Sequence, residues 1–428
     1  MKLVEHTIPL LLLLVLFYCA LFARTNQHIA PLNVAHNASH HIDGEYLALL
    51  QSDIPLPHFE MHVAALRSAL VADGSELKRS YAIGDSFRAL HLKLSPASLQ
   101  KVREHPLVVL VEENQVVHSL QSPEECKEQE DVVWNLARID THDINQVDDD
   151  YNYRYTGQGV DAYVLDSGVL VTHVEFQGRA EWGANFVGDG IDTDCFGHGT
   201  HVAGILGGRV YGVAKQVHII AVKVLGCGGT GSWDGVISGI DWSVNRALQK
   251  CRPSVVNMSL GGNRLATVNA AVAAGVEAGV TFVVAAGNEN ADACTVSPAS
   301  ERKAITVAAS TIAATEAGSP KDRRASFSNF GKCVDIFAPG ELIKSAWIDV
   351  PGLPPNMVYN TISGTSMASP HVAGAAAILL DEFPRYSPAQ VEKALNREAT
   401  KGVIDLACPP VTDTACPCTP NKLLYTNC

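Results

Sequence analysis

Apolar residues along this chain follow two different rhythms. From Glu45 to about Leu120, short apolar runs at Tyr46–Leu50, Phe87–Leu94 and Leu107–Val111 have the length of strands. Between them, Met61–Val71 and Ser95–Glu104 repeat at helical spacing. Ser95-Pro96 is a good helix start, a hydroxyl cap followed by proline in the first turn. The order β-α-β-α-β predicts a small ferredoxin-like α+β unit. From Val132 onward the runs are nearly continuous and apolar: Val160–Leu165, Val217–Leu225, Ser254–Leu260, Val280–Ala286 and Ala304–Ala309, with helical stretches between them. Strands of this kind predict an α/β domain built on a doubly wound, mainly parallel sheet covered on both faces. Ser387-Pro388-Ala389-Gln390 has the pattern of a capping box opening a late helix.

The polar stretch Gln121–Asp131 is the natural linker between the two patterns, and Arg24 to about Gly44 reads as a flexible lead. Ahead of it, Lys2, the apolar run Leu10–Phe22 and small residues at Ala20 and Ala23 read as a signal peptide. The run is short for a membrane span, which needs roughly 20 residues. The expected organisation is therefore a signal peptide at 1–23, a segment at 24–121 with its compact part at about 45–120, and a large domain at 122–428.

Hydrophobic residues are 47% and charged residues 18% of the chain, enough to bury a large core. The net charge of -13, with no basic run, argues against a nucleic-acid partner. Of 11 cysteines, Cys19 falls in the leader; the other ten are an even number after a signal peptide, which suggests disulfides and an oxidising, extracellular destination. Asn37-Ala38-Ser39 and Asn257-Met258-Ser259 are glycosylation sequons, the second on an expected buried strand and so a poor acceptor.

Three separated motifs carry the chemistry. Asp166, in Val-Leu-Asp-Ser-Gly, ends a buried strand, where ligands of open α/β sheets bind. GHGTHVAG holds His198 and His201, without the spacing or the glutamate of a zinc protease. SGTSMASPHVAG places Ser366 at the start of an Ala/Gly-rich helix. Each alone has an ordinary reading: a turn aspartate, a structural histidine, a helix cap. Together they meet a chemical need, because a hydroxyl is a weak nucleophile until an imidazole takes its proton and a carboxylate orients that imidazole. His198 is the better base candidate, and Asn288, just past a strand end in VVAAGNEN, could donate to an oxyanion.

DSG, GHGTHVAG, NMSLGG, AAGNENA, SFSNFG and GTSMASPHVAG, in this order, resemble the subtilase family, and run together its proteinase K-like branch. The order Asp, His, Ser is the subtilisin order. The resemblance covers about Trp134 to Tyr425. It implies a subtilisin-like fold and a secreted, monomeric serine endopeptidase acting on polypeptides. Asp166, His198 and Ser366 would form the triad, and Asn288 with the Ser366 N–H the oxyanion hole. Gly229, Thr230, Gly231, Ser259, Leu260 and Gly261 would hold an extended substrate by strand addition, and Gly287 would line the pocket before the scissile bond. The first domain would be the propeptide, serving as intramolecular chaperone and inhibitor. No organic cofactor is implied. A structural calcium is, at Asp335 with the carbonyls of Arg302 and Ala304; Val403 replaces the acid of a second family site. The resemblance pairs Cys195 with Cys227 and Cys294 with Cys333, and leaves the pairing of the other six open. A subtilase whose prodomain stays bound could instead act as a binding protein.

Overall fold

The structure, a computed structural model, describes residues 28–34, 41–52, 54–70, 74–116, 126–314, 318–408, 416–426 and 428. The proposed leader and the Asn37 sequon lie outside them. The chain divides into two compact units, Met1–Ser122 and Pro123–Cys428.

In the first unit, β1 (Leu32–Asn33), β2 (His41–Leu50), α1 (Leu56–Leu70), β3 (Glu76–Ile83), β4 (Phe87–Lys93), α2 (Pro96–Arg103) and β5 (Val108–Gln115) form one sheet in the order β1-β5-β2-β4-β3, with helices over its apolar face. Ser95 caps α2 as expected, accepting from Ser98 N. Three details differ from the sequence reading. Helix α1 begins at Leu56, because Pro57 sits well in a first turn. Strand β3 was not foreseen, since Glu-Leu-Lys-Arg-Ser-Tyr-Ala-Ile buries little beyond Leu77. The expected flexible lead contributes β1, which pairs parallel with β5.

The second unit is built on β6 (Asp161–Asp166), β7 (Ala180–Asn185), α3 (His198–Gly207), β8 (His218–Lys223), α4 (Trp233–Lys250), β9 (Ser254–Met258), α5 (Ala266–Glu277), β10 (Thr281–Ala285), β11 (Ile305–Ala314), β12 (Pro320–Arg324), β13 (Ile336–Pro339), α6 (Thr365–Glu382), α7 (Pro388–Glu398), β14 (Thr400–Lys401) and β15 (Lys422–Leu423). The sheet runs β14-β15-β13-β11-β10-β9-β6-β8-β7, with β12 antiparallel on β11. Strand β6 shows why both faces are covered: Ala162 and Val164 join the core beneath α3 and α6, while Tyr163 and Leu165 join the core beneath α4 and α5. Helix α6 is buried on almost every side, and its small residues permit this: a Cβ on Gly374 would lie 2.7 Å from the Cβ of Val213. The expected capping box at Ser387 forms.

Four disulfides close this unit: Cys126–Cys428, Cys195–Cys227, Cys294–Cys333 and Cys408–Cys416. Cys251 and Cys418 stand outside these four. A buried bidentate pair also ties the edge strand β12 to the start of the unit: Arg138 donates from Nε to Asp322 Oδ1 at 2.8 Å and from Nη2 to Oδ2 at 2.6 Å. Truncating one partner strands a charge, so Asp322→Ala is expected to destabilise by about 3–5 kcal/mol. Arg138→Met combined with Asp322→Leu should cost less. Thermal unfolding of the single and double variants checks both statements, and an equal loss in the two would contradict them.

Candidate active site

The site gathers where β6 ends. Asp166 is fully buried and accepts from Ser167 N at 2.7 Å. Its two oxygens lie 2.8 and 2.9 Å from His198 Nδ1, so the carboxylate fixes both the tilt of the ring and the nitrogen that carries hydrogen. His198 opens α3, and the glycines around it are dictated by space. Gly197 has φ +104°, and a Cβ there would lie 2.5 Å from the Trp347 ring. A Cβ on Gly199 would lie 2.1 Å from the Gly168 carbonyl oxygen. The helix start can therefore sit directly on the strand end. Burial pushes the His198 imidazole down, but the Asp166 charge, its hydrogen bond and the Asp194 charge together hold the ring above the ordinary histidine value.

His201, one turn along, is a different kind of histidine. Its Nε2 meets the carbonyls of Ile343 and Asn360, each at 3.1 Å, and burial pushes it down to about 3. His371 is likewise pushed down to about 4 by burial.

Ser366 lies in the first turn of α6. Pro370, four residues on, has no N–H for the Ser366 carbonyl, and Ser259 supplies the missing donor from Oγ at 2.8 Å. Ser366 Oγ in turn donates to Ser259 O at 3.2 Å. The hydroxyl thus rests on the Ser259 carbonyl.

Asn288 is oriented by Thr365: its Oδ1 accepts from Thr365 N at 2.8 Å and from Thr365 Oγ1 at 2.9 Å. Nδ2 is left to point away from that anchor. It lies 3.6 Å from the point where a Cβ on Gly364 would stand, and Ser366 N is also 3.6 Å from that point. Asn288 Nδ2 and Ser366 N thus border the same space at Gly364, with Asn288 Oδ1 3.8 Å from it.

Beside His198 a cavity of about 360 Å³ is lined by Gly229, Thr230, Gly231, Ser259, Leu260 and Gly261, the six residues expected from the sequence. Phe196, Leu225, Trp233 and Val236, which sequence reasoning missed, make it apolar. Gly287 lies apart, with φ +103°, and a Cβ there would lie 2.3 Å from Asn329 Nδ2 and 2.6 Å from Glu289 Oε2.

Asp335 is a candidate metal ligand. Its carboxylate is mostly buried, accepts from Thr306 N at 2.9 Å and is pushed up to about 6 by burial, with the Glu392 charge adding to it. A divalent cation would relieve that burial, so the donor fits a hard oxygen-binding ion. The Arg302 guanidinium, 4.0 Å from Oδ1, is the nearest positive charge.

A family model described as the subtilase family matches residues 157–413, and one described as peptidase inhibitor I9 matches residues 33–119. The chain is 40% identical over 403 residues to an extracellular serine proteinase of Thermus sp. (strain Rt41A), covering 90% of each. It is 45% identical over 333 residues to alkaline serine exoprotease A of Vibrio alginolyticus, covering 78% of this chain and 57% of that one. The crystal structure of a cold adapted subtilisin-like serine proteinase superposes with a TM-score of 0.60 at 46% identity, over 69% of this chain and 98% of that one.

In a Ser366→Ala variant followed by proton NMR, the His198 ring is expected to titrate above 6.5, while His201 and His371 stay neutral down to about 4. Asp166→Asn should move the His198 midpoint down. A His198 midpoint below 6.5 with Asp166 present would contradict the electrostatics described.

Proposed function

Because the chain belongs to the subtilase family of serine proteases and carries an I9 propeptide domain, we propose that it is a secreted endopeptidase, made as a zymogen, whose triad is Asp166, His198 and Ser366. The observation that carries this reading is the double contact of Asp166 with His198 Nδ1, supported by Asn288 Nδ2 and Ser366 N, which border the same space at Gly364.

An extended polypeptide lies between Gly229–Gly231 and Ser259–Gly261, its backbone completing their hydrogen bonds. The apolar wall of Leu225, Trp233, Val236 and Leu260 supports a broad, apolar-leaning preference. Ser366 Oγ leaves Ser259 O and attacks the scissile carbonyl carbon as its proton passes to His198 Nε2. The carbonyl oxygen takes the negative charge and accepts from Asn288 Nδ2 and Ser366 N. His198, charged and held by Asp166, returns the proton to the departing amine, which leaves an acyl group on Ser366. Water repeats the sequence from the other side: His198 takes its proton, the acid product forms, and Ser366 regains its hydrogen.

The proposed boundaries are a leader at 1–23, a propeptide at 24–121 that assists folding and blocks the cleft until cut, and a monomeric peptidase at 122–428. Calcium would be held by Asp335 and the carbonyls of Arg302 and Ala304, and would supply positive charge that pins these segments together. No organic cofactor enters the scheme.

The processed protein is expected to hydrolyse casein, and Ser366→Ala to do so undetectably. Asn288→Ala should lower kcat by about 10²–10³ with little change in KM. Inactivity of the processed parent, with the I9 domain still bound, would sink the peptidase reading and favour a binding protein. For calcium, EDTA should speed thermal inactivation of the parent and leave Asp335→Asn unaffected; equal inactivation rates of the parent with and without EDTA would exclude the site.

A further inference from the structure

Asp194, four residues before His198, is almost completely buried. Its carboxylate accepts five hydrogen bonds. Oδ1 takes Ser167 Oγ at 2.9 Å, Phe196 N at 3.0 Å and Gly197 N at 2.8 Å. Oδ2 takes Thr200 N at 2.9 Å and Thr200 Oγ1 at 2.6 Å. The donors fall into two groups. Ser167 follows Asp166 on the strand side, while Phe196, Gly197 and Thr200 flank His198 on the helix side.

Two further bonds pass through these partners. Ser167 Oγ accepts from Gly199 N at 2.9 Å, and Thr200 Oγ1 accepts from Leu170 N at 2.9 Å. The strand end and the helix start are thereby stitched together at three points, all routed through one carboxylate or its direct partners. The Cys195–Cys227 disulfide holds the same loop from outside.

Every group facing Asp194 in these contacts is a donor, so a carboxylate suits the position and an amide does not. Asparagine would turn an NH₂ toward either the Thr200 N–H or the Gly197 N–H and leave a buried donor without an acceptor. The charged and titratable groups around His198 are few. Asp166 lies on β6, Asp194 on the loop before α3, and His201 one turn along α3. On β8, the fully buried Lys223 donates from Nζ to Ser167 O at 2.8 Å and sits 3.8 Å from Asp189. On α6, the helix of Ser366, the buried His371 meets the Met367 carbonyl through Nδ1 at 2.8 Å.

We propose that Asp194 is a positioning residue for the peptidase reaction: it locks the Asp166 strand end and the His198 helix start into one frame and places a second negative charge behind the imidazole. It touches neither substrate nor reacting atoms. The proposal rests on the triad reading above. Ser167 is its lever on the strand side, because Ser167 N also donates to Asp166 Oδ1.

Asp194→Asn and Ser167→Ala separate the two effects. Both would be assayed on a peptide substrate as processed enzymes, beside the parent and Ser366→Ala, across pH. Misplacement of reacting groups costs up to about 100-fold in rate, so Asp194→Asn is expected to lower kcat by about 10- to 100-fold with KM within about twofold. Its acid limb of kcat/KM, which reports the base in the free enzyme, should move to lower pH, because the ring has lost a neighbouring negative charge. Ser167→Ala keeps that charge and breaks the stitch; its kcat should fall several-fold while its acid limb stays in place. Parent-like kcat in Ser167→Ala, or a parent-like acid limb in Asp194→Asn, overturns the proposal. If Asp194→Asn does not fold, Ser167→Ala alone decides. An inactive parent would instead remove the triad reading, and this proposal with it; an active parent with unaltered variants removes this proposal alone.

Discussion

Asp166 is a carboxylate at the end of a wholly buried strand, where no water reaches it. An isolated charge in such a place costs several kcal/mol. Here the cost is offset by the Ser167 N–H and by His198, whose ring meets both carboxylate oxygens. Much else in the site follows from placing that ring. Helix α3 must begin directly above the strand, which leaves no room for a side chain at 197 or 199. The turn after Asp166 must reverse at Gly168, where φ is +100° and a Cβ would lie 3.0 Å from the Thr193 carbonyl oxygen.

A second constraint acts on the nucleophile. Helix α6 is buried along most of its length, and small residues such as Ala368, Ser369, Ala373 and Gly374 let its neighbours approach. Pro370 then removes one hydrogen bond from its first turn, and Ser259 replaces it. The residue that completes the helix also lines the cavity beside His198, the proposed substrate cleft. This couples the cleft backbone to the position of Ser366, and the same serine offers the hydroxyl a resting acceptor. Asn288 is fixed from the same helix through Thr365, so the proposed nucleophile and the two proposed oxyanion donors share one support.

Much of this was legible in the sequence. The parallel sheet showed as unbroken apolar strands, because strands buried on both faces have no polar side. The glycines of GHG stood out, and both mark a close approach. The Cys195–Cys227 and Cys294–Cys333 bridges agree with the pairs implied by resemblance. What escaped was whatever depends on contact across the sequence. Strand β3 is too polar to announce itself and is held by its neighbour β4. Phe196 and Trp233 look like ordinary loop and helix residues until Gly229 and Gly262 bring backbone against their rings. Asp194 offered only a faint signal, an acid shortly before a helix start, and its five donors come from Ser167 and from the stretch 196–200.

The most direct test of the account is covalent labelling of the processed protein with a fluorophosphonate, followed by peptide mapping. The reagent reacts with a hydroxyl only where a base has activated it and donors stabilise the phosphoryl oxygen. A single label on Ser366, absent after unfolding and absent in His198→Ala, is the result the geometry requires. A label on another residue, or labelling of Ser366 that persists without His198, would contradict the site described here.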